Sequence, residues 1–263
     1  MFIVTDIGGT NMRVASVKDD TLGDIQKVRT PKDQREGVAT FATLARECAG
    51  GEKITAIAGC VAGSVSETGE ISDARNLRAW EGMNIVQEFS KVLDASVQIV
   101  NDAALVGLGE AHYGAGKGAS VLAYVTVSTG VGGGLIRDGK IADASGNVGI
   151  QINGVDLEDL VSGTAVTKKF GIPSKDLDSI EERNKLADIL AEGLRILVDR
   201  WSPDTIVLGG SMIVGVNPIP MERIQESLSK LLGAHPNPPT VKMAELADSG
   251  GLWGAVALLK QQT

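Results

Sequence analysis

Two glycine-and-hydroxyl bends hold most of the chemistry this sequence could do. The first is Asp6-Ile7-Gly8-Gly9-Thr10-Asn11-Met12-Arg13, set between apolar strand-forming residues 2–5 and 14–17. Glycine has no Cβ to keep an anion away, so the amides of Gly8, Gly9, Thr10 and Asn11 can point at a phosphate, with the Thr10 hydroxyl beside them. Asp6 ends its strand where it can face a phosphate-bound Mg²⁺, and Arg13 either adds positive charge or braces the hairpin. The same residues also make an ordinary hairpin turn. A second stretch, Ser128-Thr129-Gly130-Val131-Gly132-Gly133-Gly134, follows a buried-type strand at 121–127 and precedes strand residues 135–140. Two such bends half a chain apart suggest two similar half-structures clamping one polyphosphate, a pairing far less common by chance than either bend alone.

The elements around these bends supply further candidates. Asn101-Asp102 lies between a strand at 97–100 and a helix at 103–111, where open α/β sheets gather ligands and where either residue also serves as a helix cap. Gly63 follows an interior strand at 54–60 and can line a cleft. Residues 72–77, including Asn76, read as a polar loop with Trp80 packed beside it. Gly209-Gly210-Ser211 ends a strand at 205–208 as a third close-approach turn. Glu158 sits in the first turn of a helix over 156–170, where a carboxylate suits the helix dipole and can also turn toward a ligand. Other helices are expected at 33–49, 83–93, 179–201, 219–232 and 250–259, a loop at 143–154 and a strand at 240–243. The repeated strand–hairpin–strand–helix–strand–helix order predicts an α/β chain of mixed sheets flanked by helices, not a doubly wound dinucleotide fold. Lys117 lacks the following Ser or Thr of a P-loop, and a strand rather than a helix follows the bend at 130–134, which excludes a Rossmann fingerprint.

At 263 residues and 43% hydrophobic, the chain has ample core for one large or two modest domains, with flexible residues 114–118 as the boundary. A net charge of −8 with no basic run argues against a nucleic-acid surface, because phosphate backbones are bound chiefly by an excess of Lys and Arg. Cys48 and Cys60 are too few and too far apart for a zinc cluster and read as core residues in a reducing compartment. No charged-then-apolar leader precedes the first strand and no apolar run approaches membrane-spanning length, so the expected location is the cytoplasm, away from membranes.

In this order and spacing the motifs resemble the ROK family of bacterial sugar kinases and related proteins, within the two-lobed actin-like ATPase (ribonuclease H-like) fold. The resemblance rests on the two bends, on Asn101-Asp102 followed by Gly109-Glu110, on Leu157-Glu158-Asp159-Leu160-Val161-Ser162-Gly163, on Pro203-Asp204-Thr205-Ile206-Val207-Leu208-Gly209-Gly210, and on Gly250-Gly251-Leu252-Trp253-Gly254-Ala255. It implies a small lobe of residues 1–115 plus 249–263, with the first phosphate loop and the catalytic aspartate. Residues 116–248 would then form a large lobe with the second phosphate loop and the nucleoside site. The implied reaction is glucokinase-like phosphorylation of a hexose or hexose derivative by ATP and Mg²⁺, with Asp102 as general base. By position, Gly63, Asn76, Asn101, Asp102, Asn147 and Glu158 fall on the sugar side. Gly8, Gly9, Thr10, Asn11, Arg13, Ser128, Thr129, Gly130, Gly132, Gly209, Gly210 and Ser211 fall on the ATP side, and Asp6 on Mg²⁺ through phosphate. Family members often dimerise, so a homodimer is a further expectation.

Two departures accompany the resemblance. Many members carry Gly-Glu-x-Gly-His and then a three-cysteine zinc cluster; this chain has Gly146-Asn147-Val148-Gly149-Ile150 and then Gln151-Ile152-Asn153-Gly154-Val155-Asp156. Zinc is therefore not expected, and an altered substrate is expected rather than an altered reaction. The alternatives are a non-catalytic nucleotide- or sugar-binding regulator descended from such a kinase, and an actin-like ATPase with no small acceptor. Family repressors carry an N-terminal helix-turn-helix, whereas strand residues follow Met1 at once.

Overall fold

The computed structural model describes residues 1–261, so positions 262 and 263 of the expected small lobe lie outside the described residues. The apolar run at the start forms β1 (Phe2–Ile7), which turns back antiparallel into β2 (Asn11–Lys18) with Asp6 opposite Arg13. Two short polar strands, β3 (Thr21–Leu22) and β4 (Gln26–Arg29), pair with β2. After α1 (Gln34–Ala49), β5 (Ala56–Val61) lies parallel to β1, with all its residues buried. A small hairpin of β6 (Ser64–Val65) and β7 (Ile71–Ser72), then α2 (Ile85–Leu93), lead to β8 (Ser96–Asn101), parallel to β5. From there α3 (Asp102–Tyr113) crosses to a second sheet.

That sheet repeats the plan. The strands β9 (Val121–Val127) and β10 (Val131–Arg137) form its hairpin, extended by β11 (Lys140–Asp143). A minor hairpin of β12 (Gln151–Ile152) and β13 (Val155–Asp156) precedes α4 (Leu157–Val161), α5 (Gly163–Phe170) and the long α6 (Ile180–Trp201). Next come β14 (Thr205–Gly209), parallel to β9, then α7 (Ser211–Val214), α8 (Met221–Leu232) and β15 (Thr240–Met243), parallel to β14. Finally α9 (Gly250–Lys260) returns to the first sheet. The orders β2-β1-β5-β8 and β10-β9-β14-β15 are equivalent, as the two similar halves of the sequence predict.

Where the halves meet, α3 and α9 pack against each other, and one hydrophobic cluster joins Val4 and Cys60 of the first sheet to Tyr124 and Val207 of the second through Leu105, Leu252 and Val256. A side chain at Gly254 would collide with the Leu105 carbonyl, so the two helix backbones are in contact. Both crossings between the sheets are tied to one buried carboxylate: Glu110 Oε2 accepts from Ala115 N at 2.8 Å, and its Oε1 from Glu245 N and Leu246 N at 3.0 and 2.9 Å. Three backbone donors thus converge on one side chain and tie both crossings to α3.

Three expectations are corrected. The helix over 156–170 is broken at Ser162, which is extended (φ −71°, ψ 163°) and caps α5 by accepting from Ala165 N. The loop at 143–154 contains β12. Gly132, Gly133 and Gly134 belong to β10 and not to the bend, because a Cβ at Gly133 would press on the Tyr124 carbonyl and one at Gly134 on Ala104. The polar β3 and β4 escape sequence reading because they carry no apolar run. Among the described residues no helix is long and apolar enough to cross a membrane.

Candidate functional site

Residues 8–10 form the first bend. Gly8 N donates to Asn11 O at 2.9 Å and closes the turn, so that amide is not offered to an anion, contrary to expectation. The bend's carbonyls are held from outside: Thr30 Oγ1 donates to Gly8 O at 2.6 Å, Lys32 Nζ to Gly9 O at 2.9 Å, and Thr30 N to Thr10 O at 3.0 Å. The Gly9 and Thr10 amides meet no acceptor among the described residues. Carbonyls engaged on one side and amides free on the other make an anion nest. A Cβ at Gly9 would collide with Asn76, and Lys32 Nζ also reaches Asn76 O at 3.3 Å, so the bend is seated on the 73–77 loop. Asn11 starts β2 opposite Arg29.

The second bend, residues 128–130, has the same logic. Ser128 N donates to Gly130 O at 2.8 Å, Gly163 N to Ser128 O at 2.7 Å, and both Thr164 N and Thr164 Oγ1 to Thr129 O at 3.2 and 2.7 Å. The Thr129 and Gly130 amides meet no acceptor among the described residues. The break at Ser162 is what brings the start of α5 to this bend. Gly132 lies inside the β9–β10 ladder opposite Thr126.

Acidic groups flank the first bend. Arg13 Nη1 pairs with Asp6 Oδ2 at 3.1 Å and Nη2 with Asp248 Oδ2 at 3.0 Å, so Arg13 braces. Cys60 Sγ donates to Asp6 Oδ1 at 3.5 Å. Burial pushes the Asp6 carboxyl above its ordinary value against the pull of Arg13. Burial first, then Asp6 and Asp102, keep Cys60 a thiol. Asp102 opens α3; its Oδ1 accepts from Ala103 N at 2.8 Å and from Asn101 Nδ2 at 3.2 Å, and no described donor reaches Oδ2. Burial lifts its pKa to about 6, against the Ala103 amide and with a contribution from Asp6. It is thus mostly ionised at neutral pH and still basic enough to take a proton.

The residues expected on the sugar side divide into two groups. Asn101 is engaged within the protein: Oδ1 caps α3 through Ala104 N at 3.1 Å, and Nδ2 donates to Gly63 O at 2.9 Å. Gly63 has φ +134°, and Ser72 and Ala74 lie where a side chain would go, so both backbone and space call for glycine. Asn147 is exposed, its Oδ1 accepting from Gly149 N at 2.8 Å. Ile150 is 1% exposed and belongs to the core, while Arg200 forks onto the Val148 and Gly149 carbonyls at 2.6 and 3.0 Å. Glu158 Oε2 accepts from Val131 N at 3.0 Å, and Oε1 pairs with Arg75 of the 73–77 loop. Asn76 is exposed beside Gly9.

Beyond the second bend lies a cavity of about 590 Å³ lined by Thr129, Gly163, Thr164, Thr167, Lys168, Pro173, Ser174 and Ser211. Gly209 and Gly210 precede Ser211, and Tyr124 and the Val127 carbonyl occupy the places their side chains would take. Sequence reasoning found Thr129 and Ser211 but missed Thr164, Thr167 and Lys168, whose i, i+3, i+4 spacing puts a polar set on one helix face. Thr30, Lys32 and Arg75 carried no local signal. No group of three His, Cys, Asp or Glu residues converges as a metal site among the described residues.

With this geometry in hand, the chain matches the ROK family model over residues 2–152 and 157–262 and belongs to that family. Its fold is the actin-like ATPase fold of ROK sugar kinases. The N-acetylgalactosamine kinase AgaK of a Shewanella species is 27% identical over 98% of this chain and 96% of its own. Among solved structures, the ROK hexokinase of Thermus thermophilus superposes with a TM-score of 0.87 at 24% identity, covering 99% of both chains. A ROK glucokinase of Streptomyces griseus, in complex with glucose and AMPPNP, gives 0.78 at 22% identity over 99% of both chains. A ROK transcriptional regulator, homologous to the Escherichia coli MLC protein, gives 0.82 at 18% identity, covering 99% of this chain and 77% of its own. Sugar kinases and regulators thus both share this fold.

Proposed function

We propose that this protein is a kinase that moves the terminal phosphoryl group of ATP to a hydroxyl of a hexose or hexose derivative. The observation that supports this most is that two bends with free amides are joined by contacts running from Gly9 through Asn76 and Arg75 to Glu158 and the second bend. Asp102 adds a carboxylate oxygen, Oδ2, that no described donor reaches. In this reading the lobes divide near residues 115 and 249, the Gly9–Thr10 and Thr129–Gly130 amides take phosphate oxygens, and the nucleoside occupies the cavity at Thr129 and Ser211. The Asp102 carboxylate accepts the hydroxyl proton as the acceptor oxygen bonds to phosphorus and the nucleoside diphosphate leaves. In the same reading the Glu158 carboxylate and the exposed Asn147 amide bind acceptor hydroxyls. The buried Asp6 carboxylate, with lone pairs beyond those given to Arg13 and Cys60, fits a Mg²⁺ held mainly by phosphate oxygens. When bound, that ion neutralises charge on the phosphates.

Incubation with Mg²⁺–ATP and a panel of hexoses and N-acetylhexosamines, read by mass spectrometry, should give at least one sugar phosphate. Asp102→Asn should lower kcat by about 10²- to 10⁴-fold with ATP affinity unchanged. No product on any sugar, with ATP still bound, overturns the proposal. It would favour a sugar- or nucleotide-binding regulator, the reading that the core position of Ile150 also suits.

A further inference from the structure

Resting on that reading, we infer that Arg75 is a positioning residue: its ion pair with Glu158 straps the two halves together over the acceptor and fixes both phosphate bends in register. Arg75 belongs to the half built on the first sheet, Glu158 to the half built on the second. The loop that presents Arg75 is anchored at both ends. Ala74 and Leu77 are buried at 1% and 2% exposure, Ala74 N donates to Glu81 Oε1 at 3.0 Å, and Leu77 N donates to Ala74 O at 2.8 Å. Trp80, fully buried, donates from Nε1 to Pro31 O at 3.2 Å. Arg75 and Asn76 are the two outward residues between these anchors.

Each has a different bend as its destination. Asn76 fills the space that a side chain at Gly9 would need, and Lys32 binds the Gly9 and Asn76 carbonyls together. Glu158 holds the Val131 amide and lies against Gly130. Closing the Arg75–Glu158 pair therefore sets the first bend against the second. An ionised carboxylate has about four lone-pair positions. With one oxygen on Val131 N and the other on Arg75, Glu158 still has capacity for an acceptor hydroxyl, so the strap is kept when the acceptor binds. The Arg75 side chain is 77% exposed, which makes the strap sensitive to salt and cheap to open for product release.

The test is Arg75→Ala beside Arg75→Lys, substitutions on an exposed residue that leave the fold intact. Arg75→Ala should raise the acceptor KM about five- to tenfold, raise the ATP KM by a smaller factor and lower kcat, and Arg75→Lys should recover part of the loss. Wild-type kcat/KM should fall with ionic strength, whereas that of Arg75→Ala should not. Small-angle scattering with Mg²⁺–ATP should show contraction of the wild type that Arg75→Ala lacks, a reading independent of turnover. Identical kinetics and identical contraction in Arg75→Ala overturn the strap. Failure of the wild type to phosphorylate any sugar overturns the kinase reading, while the scattering comparison still judges the strap.

Discussion

The two glycine bends are alike in sequence and differ in how they are held. At residues 8–10 the bracing comes mostly from side chains arriving on the polar strand β4 and its exit, Thr30 and Lys32. At residues 128–130 it comes from the first backbone amides of α5, with the Thr164 hydroxyl as a supplement. Side-chain bracing lets the first bend be coupled to other parts, here the 73–77 loop and the Arg13–Asp6–Asp248 cluster. Backbone bracing makes the second bend indifferent to most substitutions. The first is the adjustable half of the site and the second its fixed reference.

Alanine at the two central glycines should separate them most. Gly9→Ala meets Asn76 at its Cβ, which cannot swing aside, whereas Gly130→Ala meets the end of the Glu158 side chain, which can rotate at the expense of its Val131 bond. We expect kcat/KM to drop by roughly 10²-fold in the first and about tenfold in the second. Equal losses would show that the two bends are held alike.

Acid should affect turnover and nucleotide binding differently. Asp102, on the side of the first bend, loses its proton near pH 6, so turnover should fall as pH drops through about 6. Nucleotide affinity should change less than turnover, because Thr129, Thr164, Thr167, Ser174 and Ser211 do not titrate there. The folded-state pKa lies above the ordinary value of 3.8, so the stability linked to protonated Asp102 is present below pH 3.8 and lost as pH rises through about 6. Asp102→Asn should therefore stabilise the protein by about 3 kcal/mol at pH 7.5 and not at pH 3.5, measured by denaturant unfolding at both values. A gain of the same size at both would refute the burial account.

The smallest effect concerns the braces themselves. Thr30→Val leaves the Gly8 carbonyl without its 2.6 Å donor at a residue only 5% exposed, and should cost about 1–2 kcal/mol and raise the ATP KM several-fold. Thr164→Val keeps its backbone bond to Thr129 O at an exposed position and should cost less than about 0.5 kcal/mol.

Most of the strands and helices were legible because their signals are local: apolar runs at β1, β5, β9 and β14, and helical periodicity in α1 and α6. The interruption at Ser162 was not, because the competing bond, Gly163 N to Ser128 O, comes from another part of the chain. The same reason hid β4, whose pairing with β2 supplies what its composition lacks. Asn101 shows the opposite case, in that the cap its sequence position offered is the one its side chain makes.

The sequence alone determined the two equivalent halves, the glycine bends and the aspartate that opens α3, since each depends on residue type and near neighbours. Tertiary structure decided which amides stay free, that Ile150 turns into the core, and that Arg75 meets Glu158. Those outcomes depend on partners that only folding brings together: Thr30 is 22 residues from Gly8, and Glu158 is 83 from Arg75. No local pattern encodes a hydrogen bond whose two ends belong to different elements.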